Sequence, residues 1–331
     1  MRITTILMAL APALLAQQPT IDNARLETRN FSGTLETEMS RLGAGPLWMG
    51  WSEPIIAGRH GDMCSWNGNR NDSDSGRTPG APLRLEGEVA LTVLVRIENG
   101  QPGELRVTSP DCHLDAGGLP LHWINGVPAA ESVAWLKSQV SAAHPDTAVM
   151  AISLHAGPAA DQALDDLVGL TQPEPVRKKA AFWMGTSRGA RGVTILKRMM
   201  ASDPSASVRD QIVFALSQSK DPGGIAAVID AARNDKDAHV RGQALFWLAQ
   251  KAAANTSRDA IQNALTNDPE TSVRERAVLA LSQIPNGEGV PMLIDLARTH
   301  RDPAVRKKAM FWLGQSKDPR ALDFFAQLLK P

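Results

Sequence analysis

Two patterns of hydrophobic and polar residues divide the chain. From Ile21 to Val127 apolar and polar residues alternate in short runs, the period of β-strands. PLRLEGEVALTVLVRIENGQPGELRVTS alternates on both sides of the turn-forming ENGQPGE and predicts a β-hairpin. PLWMGWSEPII predicts another strand, with Trp48 and Trp51 on its opposite faces. Between these runs NGNRNDSDSGRTPGAP, residues 67–82, is a polar loop; it lacks the acidic residue that a calcium loop carries at its far ligand position. AAESVAWLKSQV, residues 129–140, reads as a helix within a connecting segment, 128–141.

From residue 142 to 331 the pattern becomes helical and repeats. Val-Arg stands at 176–177, 208–209, 240–241, 273–274 and 305–306, at intervals of 32, 32, 33 and 32 residues. A sustained period of this size predicts a stack of helix pairs. Asp-Pro recurs at 203–204, 221–222, 268–269, 302–303 and 318–319, where Asp caps a helix and Pro suits its first turn. DTAVMAISLHAG, near 146–157, looks like a degenerate leading copy, and ALDFFAQLLKP ends the array. Each helix residue turns about 100°, so offsets 0, 4, 7 and 8 from the Val share one stripe. In the first clear copy these are Val176, Ala180, Trp183 and Met184; in the fifth, Val305, Ala309, Trp312 and Leu313. Offset 7 alternates large and small (Trp183, Ala215, Trp247, Ala280, Trp312), which predicts an interdigitated core seam.

Offset 6 breaks the amphipathic rule. It lies at about 240°, nearly opposite the stripe, among mostly polar positions such as Lys178, Asp210, Gln243, Arg276 and Lys307. Yet it is apolar in every copy: Phe182, Phe214, Phe246, Leu279 and Phe311. Helices stacked about 10 Å apart would align these into a strip of about 40 Å. Beside it offset 10 reads Thr186, Gln218, Gln250, Gln283 and Gln315, and a glutamine row can bond the backbone of an extended peptide. Two arrangements stay open: an exposed groove, or phenylalanines covered by neighbouring helices or by the N-terminal domain. The Arg at offset 1, recurring with an Asp before it, reads as an ion-pair ladder between repeats.

The recurring Asp-Pro, Val-Arg, Ala four later, Leu eight later and small residue after it resemble HEAT repeats, in the short form associated with phycobilin lyases. The resemblance covers roughly residues 142–331. It implies an α-solenoid that acts as a non-catalytic scaffold and binds a protein or peptide on a concave face made by second helices. In such repeats offset 6 usually faces solvent, and armadillo-type solenoids use amide ladders in a comparable way. Tetrapyrrole chemistry belongs to only a few members, and an export signal counts against it here. The expected fold class is thus α+β and multidomain, a β-rich domain (21–127) followed by a solenoid of five to six HEAT-like helix pairs (142–331).

Composition narrows the partners. Lys+Arg and Asp+Glu are both 35, so the chain lacks the basic surface of a nucleic-acid protein. Residues 1–16 hold an early Arg, an apolar run from Ile3 to Ala16 and small residues at its end, the signature of a cleaved secretory signal. Localisation is therefore expected to be periplasmic or secreted, without membrane insertion after cleavage. In that compartment the only two cysteines, Cys64 and Cys112, are expected to pair, closing a loop worth roughly 4 kcal/mol. His60, Cys64, Cys112 and His113 also have the residue types of a zinc site, but adjacent Cys112 and His113 face one ion poorly. No H-E-x-x-H, G-x-S-x-G, Walker or dinucleotide motif occurs, and Asp62, Asp111 and Asp115 define no acid–base pair by spacing. The expectation is a protein without enzymatic activity or cofactor. An alternative makes the β-rich domain the ligand-sensing module and the solenoid its spacer.

Overall fold

A computed structural model describes residues 20–56, 90–110, 112–141, 144–251 and 253–329. The chain divides into two compact units, Met1–Ala160 and Asp161–Pro331.

In the first unit the strands are β1 (Thr20–Asp22), β2 (Arg25–Asn30), β3 (Leu47–Pro54), β4 (Ala90–Glu98), β5 (Gln101–Thr108), β6 (His113–Asp115) and β7 (Pro120–Asn125). Five form a sheet of order β2-β7-β3-β4-β5, and β1 pairs with β6 in a short parallel ribbon. The predicted hairpin is β4–β5. Asn99 and Gly100 take φ of 52° and 72°, the left-handed pair that a two-residue turn demands, so Glu98 pairs directly with Gln101. The unit's helices are α1 (Leu35–Ser40), α2 (Ala129–Val140) and α3 (Pro145–Leu154).

Alternation puts Trp51 on one face of β3, where its ring meets Trp135 of α2 edge-on at 5.5 Å. Trp48 points the other way, under the guanidinium of Arg106 at 5.6 Å. The indole N–H of Trp51 donates to Ser132 Oγ at 2.8 Å, and Ser132 pairs with His155 Nε2 at 2.9 Å. His155 Nδ1 faces the Ala151 carbonyl at 2.7 Å, so Nδ1 carries the proton and Nε2 accepts. A serine beside a histidine suggests catalysis, but both are fully buried and every proton in this chain is committed to packing.

Helices 129–140 and 145–154, read from the sequence as a connector and a leading repeat, are covering helices of this sheet. α2 packs on β3, and α3 packs on β4 and β5. The apolar runs of β4 and β5 need a second layer to bury them, and α3 supplies it.

The solenoid helices are α4 (Pro158–Leu167), α5 (Glu174–Ser187), α6 (Gly189–Ser202), α7 (Ala206–Ser217), α8 (Gly223–Asn234), α9 (Ala238–Lys251), α10 (Ala254–Asn267), α11 (Thr271–Gln283), α12 (Val290–Thr299), α13 (Pro303–Gln315) and α14 (Pro319–Leu328). All five Val-Arg pairs fall on α5, α7, α9, α11 and α13, which stack on one another in a single layer. The intervening helices form the other layer. Asp302 and Asp318 cap α13 and α14 as expected, each with Pro in the first turn. At α7, however, the cap is Ser205, which frees Asp203 for another partner.

That partner is Arg177. Its guanidinium holds Asp203 at 2.8 and 3.2 Å, and Arg209 holds Asp235, Arg241 holds Asp268 and Arg274 holds Asp302 in turn. Each Arg therefore reaches the Asp 26–28 residues ahead, in the next repeat, while its other nitrogen binds a carbonyl of the turn before its own helix, as Arg209 does with Asp203 O at 3.0 Å. The ladder predicted from sequence is present, directed forward along the chain. These side chains lie inside the buried stripe, where a carboxylate and backbone acceptors offset their desolvation.

Candidate functional site: an aromatic ridge on the Val-Arg helices

Observed burial shifts the core stripe to offsets 0, 4, 5 and 8. In α7 these are Val208, Ile212, Val213 and Leu216, all with no exposed surface. In α9 they are Val240, Ala244, Leu245 and Leu248, equally buried. The stripe centres at about 70°, which leaves offset 7 on its rim. The expectation that Trp183, Trp247 and Trp312 form the core seam is therefore corrected: all three are half-buried. Ala215 and Ala280, at the same offset, are buried.

The indoles join the phenylalanines. Phe182 meets Trp183 edge-on at 5.1 Å and stacks on Phe214 of the next repeat at 5.8 Å, with 15° between planes. Phe214 in turn meets Trp247 at 4.6 Å, and Trp247 meets Phe246 at 5.1 Å. Five rings from α5, α7 and α9 thus make one continuous ridge. Offset 6 is half-buried at Phe182, Phe214, Phe246 and Leu279, and Phe311 is 53% exposed. The second aromatic pair, Phe311 and Trp312, meets at 5.0 Å. Leu279 and Ala280 on α11 interrupt the rings between the two groups.

The glutamine row runs alongside. Gln218 and Gln283 each donate to the serine before them, at 2.9 and 3.1 Å, and Gln250 reaches Gln283 Oε1 across the repeat at 3.4 Å. Gln250 and Gln315 are exposed, and Thr186 bonds back to the Phe182 carbonyl at 3.1 Å. On the ridge's other flank lie offsets 2 and 3. Lys178 donates to Ser207 at 2.9 Å, and Arg276 contacts His239 Nδ1 at 3.0 Å and Gln243 Oε1 at 3.4 Å. Arg276 reaches that far because position 242 is glycine: a Cβ there would sit 2.2 Å from Arg276 Cδ. Burial pushes Asp210 above the usual carboxylate range against the opposing pull of His239, Lys178 and Arg276, and its Oδ1 has no hydrogen-bond partner. Burial likewise lowers the Lys179 ammonium. Sequence spacing identified both polar rows; the Gly242 gap and the indoles' share in the ridge depend on packing between repeats.

Cys112 is fully buried, whereas the adjacent His113 turns outward to Asp22 at 2.7 Å, so the two do not present ligands to one point. Cys64 and His60 lie outside the described residues, as do the signal and the 67–82 loop. Among the described residues no cluster of three His, Cys, Asp or Glu is placed to hold a metal ion. No described helix is long and apolar enough to cross a membrane.

HEAT repeats are matched over residues 167–249 and 258–331. No curated protein matches the chain in sequence. Among solved structures, YibA of Escherichia coli is similar at 25% identity and TM-score 0.35, over 51% of this chain and 64% of that one. This chain therefore spans less than two thirds of that relative's length. The CpcE–CpcF complex of phycocyanin lyase from Nostoc is similar at 19% identity and TM-score 0.33, over 61% of this chain and 82% of that one. Human deoxyhypusine hydroxylase is similar at 16% identity and TM-score 0.26, over 61% and 86%. The matched repeats coincide with the helix pairs α5–α14 and with the ladder of Arg–Asp pairs between them, and residues 167–331 of this chain are a HEAT-repeat solenoid.

Proposed function

We propose that this chain is an exported, non-enzymatic scaffold that binds an extended polypeptide along the Val-Arg helix layer, as the concave face of its solenoid. One observation carries the reading: aromatic rings occupy the ordinarily polar offset 6 and touch one another across three repeats, with amides on one side and charged groups on the other. An apolar ridge between two polar rows fits a strand-like ligand, with side chains on the rings and main chain on the glutamines. HEAT solenoids commonly serve protein interaction, in keeping with this reading. The test is capture of polypeptides by the immobilised protein, with a photo-crosslinking residue at position 246. Crosslinks from 246 that disappear with Phe214→Ser support the groove. Capture without any crosslink from 246 refutes it.

A second reading has its own observation. Ser52, Thr92 and Thr108 lie in register across β3, β4 and β5, and their hydroxyls, like the Trp123 indole N–H, are buried without hydrogen-bond partners. Unsatisfied polar atoms on one sheet face suit a ligand-sensing first unit. A ligand bound equally by wild type and by the Phe214→Ser/Phe246→Ser protein would belong to that surface.

A further inference from the structure

The ridge ends in a pocket. Where α7 offers Phe214 to the indole of the following Val-Arg helix, α11 offers the smaller Leu279. Between the C-terminal ends of α11 and α13 a cavity of about 410 Å³ remains, lined by Leu281, Ile284, Leu293 and Trp312, with Gln283 and Gln315 among its polar residues. Its size falls within the range of about 300–1,000 Å³ typical of built ligand sites. The turn on its wall is preformed: Asn286 and Gly287 take φ of 59° and 67°, and Arg320 ties the Gly287 carbonyl to α14 at 2.8 Å. Arg320 is itself clamped by Asp318 at 2.6 Å, which holds the Asp318 carboxyl down at about 2.

One atom of this pocket's wall is unsatisfied. The Trp312 indole N–H is buried and has no acceptor, whereas that of Trp51 finds Ser132. A buried donor without an acceptor is costly, and a ligand that brings one recovers the loss. An apolar floor, one buried donor and two amides that can each donate and accept describe what one residue of an extended peptide requires. We infer that this pocket anchors the bound polypeptide: it takes one apolar side chain, and the adjacent main-chain carbonyl accepts from Trp312 Nε1. The inference rests on the peptide-binding reading of the same face and assigns the groove an anchor residue.

The test follows the indole resonances of the full chain by nitrogen–proton NMR during titration with N-acetyl-leucine methylamide, with N-acetyl-glycine methylamide as the control lacking a side chain. The expected result is a saturable downfield shift of the Trp312 indole proton by the leucine probe and none by the glycine probe. Trp312→Phe, which keeps a ring and removes the donor, is expected to weaken the probe about five- to tenfold, read from methyl shifts of Leu281 and Leu293. No saturable shift at Trp312, or equal shifts by both probes, overturns the inference; neither result depends on a variant folding. An unchanged probe affinity in a folded Trp312→Phe protein also overturns it. The two readings separate cleanly. If Phe214→Ser/Phe246→Ser abolishes polypeptide capture while the probe leaves Trp312 untouched, only the pocket falls. If the probe binds at Trp312 while the double variant captures normally, only the ridge falls.

Discussion

The ring of Trp247 lies 4.6 Å from that of Phe214, one repeat away and tilted by 40°. This contact joins two helices through residues outside the buried stripe, so it is half solvated and removable. We expect Phe214→Ser with Phe246→Ser to cost no more than about 1–2 kcal/mol, since half-buried rings lose only part of a full core penalty. Capture of polypeptides is expected to be lost. Circular dichroism melting together with capture checks this; an unfolded double variant would show the ring ridge to be part of the core.

Arg209 and Asp235 are 2% and 3% exposed and bond at 2.8 and 3.1 Å. Removing one partner strands the other charge, so Asp235→Ala is expected to destabilise the solenoid by about 3–5 kcal/mol. Arg306 in the last copy bonds carbonyls of His300 and Arg301, at its more exposed end of the ladder. Arg306→Ala should cost about 1 kcal/mol. Urea denaturation of the two variants compares them, and equal losses would contradict the forward ladder.

Glu53 is buried on β3, its Oε1 lacks a partner, and burial pushes its pKa from 4.5 up to about 8. The folded state therefore holds the proton more tightly than the unfolded chain does. Glu53 is neutral in both states below about pH 4.5, and its stability contribution falls as pH rises from there through about 8. Glu53→Gln is expected to flatten this dependence, gaining a few kcal/mol at pH 8.5 relative to wild type and little at pH 4. Denaturation followed by tryptophan fluorescence at both pH values measures the difference.

Cys112 is fully buried in the first unit, and Cys64 is the chain's other cysteine. Peptide mapping without reductant is expected to recover a Cys64–Cys112 linked fragment, and its absence would remove the argument for an oxidising compartment. Reduction should then lower stability by roughly 2–4 kcal/mol.

Periodicity alone carries the solenoid. The Val-Arg interval, the buried offsets 0, 4 and 8, the Asp-Pro caps at Asp302 and Asp318 and the Asn99-Gly100 hairpin are local or strictly repeated features, readable along one strand of text. So is the anomaly of offset 6, because angular position on a helix follows from spacing. Tertiary structure decided what spacing cannot express. Offset 7 lies on the stripe's rim, and only the neighbouring helix determines whether an indole there turns inward or out onto Phe214. The direction of the Arg ladder required knowing which Asp stands beside each guanidinium across a repeat boundary. The helix at 145–154 has the composition of a repeat, yet it packs on β4 and β5, because an uncovered apolar sheet is the stronger claim on an apolar helix. The pocket at Trp312 arises where Leu279 interrupts the ridge, a matter of volumes meeting in space.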